Sequence, residues 1–264
     1  MIYPTERSLF VFGNPYLQVE YMTKRLGFTT EEMKTDRPNQ RNENVLSGAL
    51  DRPDDSNSWR LPSTIAMIGF IVFLSVIFLM HFVNPEINFW DHFVSDYVHG
   101  EHGWILNIAI TGNLIGSIAF IIALYRAYPP PYRSMTSIFL YGIVTAAILT
   151  NFFPIDPSGE TVTLSGQIHN LGGFFGGLAG LAFFFIHSIR LRSFGVLVGF
   201  YRILLILAIS GVIMFIIVLL AGIYADGIIG IIQRIYALLL MSWLIIAANG
   251  MRTDALIPKQ SEYL

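Results

Sequence analysis

Ten residues, Ser95-Asp96-Tyr97-Val98-His99-Gly100-Glu101-His102-Gly103-Trp104, set two acids and two histidines between long apolar segments. Asp96, His99 and His102 have the residue types of a zinc site, where a bound water becomes a nucleophile near neutral pH. A histidine pair three apart in a glycine-containing loop has no fixed geometry, so His99 and His102 are only weak metal candidates and no metal is expected. Two later stretches answer the first: Phe153-Pro154-Ile155-Asp156-Pro157 with His169 beyond it, and Gly230-Ile231-Ile232-Gln233-Arg234. A guanidinium, a histidine and two carboxylates suit the binding of an anion or the movement of protons.

Three positions resist reading as loop decoration. Arg234 falls about six residues inside the last apolar segment, roughly 9 Å below its end at 1.5 Å per residue. A charge at that depth must snorkel, face water or meet a carboxylate, and Asp156 and Asp96 are the natural partners. His169 opens a segment in which Gly173, Gly176 and Gly180 recur at helical spacing. Small residues in such a stripe let membrane helices approach closely, which turns His169 inward, as a site residue or as a structural hydrogen-bond donor. Asn107 and Thr111 share a helix face, and either extend a polar path inward from Asp96 or bond a neighbouring helix. The candidate polar cluster, ligand-binding or structural, is therefore Asp96, Asn107, Asp156, His169, Gln233 and Arg234, with no catalytic role assigned.

What must position them is an all-α bundle. Only 13% of the 264 residues are charged, about half the share of an ordinary soluble domain, so the chain lacks the surface that water requires. Six apolar segments, approximately 63–84, 104–127, 134–153, 166–189, 199–223 and 228–250, approach the roughly 20 residues that cross a bilayer. The expected fold is a polytopic membrane protein with six transmembrane helices over 62–251. It has a polar N-terminal region over 1–61 and a short tail over 252–264.

Basic residues orient it. Eight precede the first segment, Arg126 and Arg133 flank the second connection, Arg190, Arg192 and Arg202 the fourth, and Arg252 and Lys259 follow the last segment; the other connections hold none. Because cytoplasmic loops retain Lys and Arg, both termini are expected in the cytoplasm of a cell membrane protein, with the three motif-bearing connections outside. The N-terminus lacks the basic-then-apolar pattern of a cleaved signal, so the first helix is expected to direct insertion.

Net charge is −2, with no basic stripe, so no nucleic-acid partner is expected. With no cysteine there is no disulfide, thiolate metal site or cysteine nucleophile. His-Glu-x-x-His helices, Gly-x-Ser-x-Gly elbows and phosphate-cradling glycine loops are missing, and no cofactor is expected. Residues 35–60, rich in Asp, Asn, Arg, Pro and Ser, read as a linker, either solvated or ordered against a protein partner.

One resemblance covers residues 63–250. Ser95-Asp96-Tyr97, Gly100, Gly103-Trp104 and Asn107, then Phe153-Pro154-x-Asp156, then His169, then Gly230-x-x-Gln233-Arg234 ahead of Trp243 resemble the prokaryotic six-helix membrane family catalogued as domain of unknown function nine-nine-eight. That family carries no activity to transfer. It is distantly similar to the Frag1-like group, which implies lipid remodelling by analogy. Two functions compete: an outer-leaflet polar pocket handling a lipid or other amphiphile, and an accessory subunit or scaffold docked through residues 1–61. A secondary transporter has less support, since no inverted repeat and no midplane charge is visible.

Overall fold

The computed structural model describes residues 57–257 apart from 129, 158–159, 194–197 and 225. The chain divides into two units, Met1–Ser56 and Asn57–Leu264, and every described residue belongs to the second. The expected linker thus lies outside the described residues except for its last few positions.

Six α-helices follow one another: α1 (Arg60–Val83), α2 (Gly103–Ala127), α3 (Pro130–Phe152), α4 (Leu164–Ser193), α5 (Val198–Tyr224) and α6 (Ile229–Arg252). Short 3-10 helices at Val94–His99 and Asp226–Ile228 interrupt two connections, and no strand occurs among the described residues. The expected boundaries hold to within about four residues, the usual uncertainty of helix ends included. Among the described residues, α1, α2, α4, α5 and α6 are long and apolar enough to cross a membrane, and α3 contributes the apolar stretch Leu140–Phe152. Twenty-four residues of α1 span about 36 Å, against about 30 Å of hydrocarbon.

Large apolar side chains are exposed on every helix of this bundle. On α5, Ile206, Ile213 and Ile216 are each more than half exposed, a pattern that water would penalise and lipid accommodates. Helix α1 packs along α2 and α6, α3 along α4, and α5 against α4 and α6. At the α1–α2 crossing a Cβ on Gly69 would lie 2.5 Å from the Gly112 carbonyl and 2.9 Å from Gly116 Cα, so only glycine permits that approach. The α4 stripe is real but shifted by one position at its start. Gly172, Gly176 and Gly180 face Leu149, Ala146 and Ile143 of α3, while Gly173 faces open space.

The core is aromatic. Phe184 stacks on Trp243 at 4.2 Å, with Phe120 and Phe183 edge-on to the same indole. The buried indole N–H donates to Ser188 Oγ at 3.0 Å, and that hydroxyl donates to the Phe184 carbonyl at 2.6 Å. Two residues past the end of α6, Asp254 is held in the left-handed region at φ 60°. Asp tolerates that conformation better than most residues. Its carboxylate receives Trp59 Nε1–H at 3.0 Å and pairs with Arg60, tying the start of α1 to the end of α6.

Candidate functional site

The α1–α2, α3–α4 and α5–α6 connections meet at one end of the bundle. Helix α1 stops at Asn84 because Pro85 follows. Buried Asn84 turns its Oδ1 to the His102 N–H at 2.9 Å, which anchors the start of α2. That packing explains two glycines of the opening stretch. A Cβ on Gly100 would fall on the Asn84 side chain, and one on Gly103 would fall on the Val98 carbonyl. Asp96 accepts the Phe93 N–H at 2.8 Å and so closes the 3-10 helix. The turn drives Tyr97 to full burial against Met80 and Leu106, with its hydroxyl bonded to His81 Nδ1.

Against this loop stands the N-terminus of α6, whose first N–H groups have no partner within the helix. The loop supplies one: Trp90 O accepts Gly230 N–H at 2.8 Å and Ile231 N–H at 3.3 Å. Gly230 is obligatory there, since a Cβ would sit 2.5 Å from both the Phe89 and His92 carbonyls. One turn on, Gln233 Oε1 accepts the Val94 N–H at 2.7 Å.

Arg234 lies beneath, 8% exposed, with its guanidinium carbon 5.3 Å from the centre of the Tyr97 ring. Its Nη1 donates to His92 O at 2.8 Å and to Gly230 O at 2.9 Å. Its Nε and Nη2 are buried and find no hydrogen-bond partner among the described residues. These two N–H groups form the parallel edge of the guanidinium that grips a carboxylate or phosphate bidentately.

The expected pairing of Arg234 with Asp156 or Asp96 is therefore not found among the described residues, and the reason is local. Asp156 accepts Thr163 N–H at 2.8 Å and Thr163 Oγ1–H at 2.6 Å, closing its own loop around Gly166. The Thr163 hydroxyl, then its amide, hold the Asp156 carboxyl below its ordinary range, with His99 nearby adding to the effect. Asp96 is turned to its own 3-10 helix.

The α3–α4 loop is closed by side chains from three directions. Past the end of α3, Pro154 and Pro157 cannot continue a helix, and three consecutive carbonyls are left over. His169 Nδ1–H donates to Phe153 O at 2.9 Å, Ser165 Oγ–H to Pro154 O at 3.0 Å, and His99 Nε2–H to Ile155 O at 3.0 Å. His169 thus ties the first turns of α4 to the end of α3, and His99 joins the α1–α2 loop to the α3–α4 loop. No group of three or more potential metal ligands occurs among the described residues.

Six predicted residues accordingly divide. Asp96, Gln233 and Arg234 come together around one loop, and Asp156 and His169 serve the neighbouring one, linked through His99. Asn107 stands apart: it is exposed, as is Thr111, and both border a groove of about 580 Å³ between α1 and α2. His81 and Asn84 were not singled out by sequence, and Tyr97 entered only within the opening stretch and the family resemblance. Only Asn84 carried a signal, as a polar residue directly ahead of a proline at a helix end.

Neither the curated proteins nor the solved structures contain a match to this chain. The model of the family described as "Protein of unknown function (DUF998)" matches residues 67–249, well over half of the sequence, and the chain belongs to that family.

Proposed function

We propose that this protein binds, and through that site acts on, an anionic membrane amphiphile at the extracytoplasmic end of a six-span bundle. One observation carries the reading: Arg234 is buried, its Nη1 is occupied by backbone carbonyls, and its bidentate edge, equally buried, has no partner among the described residues. An uncompensated buried guanidinium is costly, and a phosphate or carboxylate head group would supply both the counter-charge and the two missing acceptors. Tyr97 forms the wall beneath, and the Gln233–Val94 and Gly230–Trp90 bonds hold the fork in place before any ligand arrives. The alternation of basic connections supports the orientation, with both termini cytoplasmic in the cell membrane.

A second reading has its own support. Asp96, Asp156, His169 and Gln233 are engaged in closing loops, as in a non-enzymatic scaffold or accessory subunit docked through residues 1–61. The two readings part on Arg234→Lys, which keeps the charge and loses the fork. Under the amphiphile reading the variant stays folded and loses phosphatidylglycerol retained from vesicles. Under the scaffold reading, Arg234→Ala lowers thermal stability and complex assembly together, while the parent protein shows no preference for anionic lipid. Tags at both termini protected in intact cells, with a tag after Ser158 accessible, check the orientation.

A further inference from the structure

The α1–α2 groove offers a second, independent observation. Asn107 and Thr111 lie one turn apart on α2, exposed within an apolar segment that is long enough to cross a membrane. No hydrogen bond joins either side chain to another described residue. An amide and a hydroxyl facing hydrocarbon unbonded are disfavoured, so each requires an acceptor from outside the fold. Below them the groove is apolar, with Gly69 and Gly112 on its floor and Val72 and Ile108 on its walls.

We infer that this groove seats one acyl chain of a membrane glycerolipid, with Asn107 Nδ2–H and Thr111 Oγ1–H donating to its ester group. Depth supports the assignment. Asn107 and Thr111 are the fifth and ninth residues of α2, about 6 and 12 Å below the helix start, which brackets the inner edge of the interfacial layer in which lipid esters lie, roughly 5–8 Å thick on each side. Chemistry supports it as well, because an ester carbonyl only accepts and these side chains both donate. Width separates a lipid from a second copy of the chain. The floor is where the α1 and α2 backbones come closest, and a helix about 10 Å across would rest on the rim, whereas a single polymethylene chain enters. The volume, about 580 Å³, falls in the range of small-ligand sites, about 300–1,000 Å³.

The inference does not rest on the Arg234 reading, and its test uses a zwitterionic probe for that reason. The full chain, reconstituted in phosphatidylcholine vesicles carrying a photoreactive group in one acyl chain, is irradiated and its labelled peptides are mapped. Labelling is expected to concentrate on residues 65–72 and 107–115, several-fold above the exposed face of α5 at 206–217. Asn107→Leu with Thr111→Val should remove that excess, and Gly222→Ala, where a Cβ meets nothing within 4 Å, should leave it unchanged. Should the double variant fail to fold, Ile108→Trp, which blocks the groove from its rim, is expected to remove the excess on its own. Labelling of α1 and α2 no higher than that of α5, or indifferent to these substitutions, would overturn the assignment. So would efficient disulfide-linked dimers of Asn107→Cys, a clean probe in a chain without cysteine, because they would make the groove a contact between copies.

Discussion

Replacing Gly230 by Ala adds a single carbon to α6, and its cost follows from the surrounding carbonyls. The new Cβ would stand 2.5 Å from Phe89 O and from His92 O, whereas a relaxed carbon–oxygen contact is about 3.3 Å or more. The loop must therefore retreat by about 0.8 Å. That movement stretches the Gly230 N–H bond to Trp90 O from 2.8 Å beyond hydrogen-bond range. Overpacking costs about 1–3 kcal/mol and a lost backbone bond about 1, so the variant should lose roughly 2–4 kcal/mol. Thermal unfolding of the purified protein, followed by tryptophan fluorescence, should show a drop of at least roughly 4 °C, at about 2 °C or more per kcal/mol for a chain of this size. Gly222→Ala is the control. A Cβ there meets nothing within 4 Å, and the better helix propensity of Ala leaves stability equal or slightly raised. If Gly230→Ala is as stable as Gly222→Ala, the loop does not dock on α6 as described.

Other perturbations separate the remaining contacts. Ser188→Ala strands the buried Trp243 N–H and should cost about 1–3 kcal/mol, read in the same unfolding assay. Asp254→Asn, at an exposed clasp with Arg60, should cost about 1 kcal/mol or less. The lowered pKa of Asp156 has a defined sign. Its loop-closing contribution is complete above the unfolded value of about 4 and is lost as pH falls through the lower native value. Protection of the Thr163 amide from hydrogen exchange, relative to its intrinsic rate at each pH, should therefore fall only under acid conditions, and Asp156→Ala should lower it at every pH.

Apolar run length and the breaks at Pro129–Pro131, Pro154 and Asp226 were enough to set the helices from sequence, because a bilayer leaves a segment of some twenty apolar residues few alternatives. The meeting of three connections at one end was legible for the same reason: antiparallel neighbours return the chain there. The partnership of charges was not. Arg234 looked destined for Asp156 because opposite charges in a membrane protein are expected to meet. Sequence does not show that Thr163 reaches Asp156 first, or that backbone carbonyls of Phe89, Trp90 and His92 crowd the start of α6. For Asn107, the position along α2 was legible, but the face it occupies depends on how α2 packs against α1 through Gly69. A one-residue shift of the α4 glycine stripe has the same origin, since adjacent glycines at 172–173 and 176–177 give sequence two equally good stripes.

Binding of a two-oxygen anion at the buried, unpaired Nε–Nη2 edge of Arg234 underlies the proposed function. Its most direct test is native mass spectrometry of the full chain released from vesicles of equal phosphatidylglycerol and phosphatidylcholine, for the parent, Arg234→Lys and Arg234→Ala. Phosphatidylglycerol is expected to be retained on the parent and to fall by about tenfold or more on Arg234→Lys, as a point charge cannot replace the fork, with the lysine variant still folded. Equal retention on all three proteins, or no preference for the anionic lipid in the parent, would contradict it.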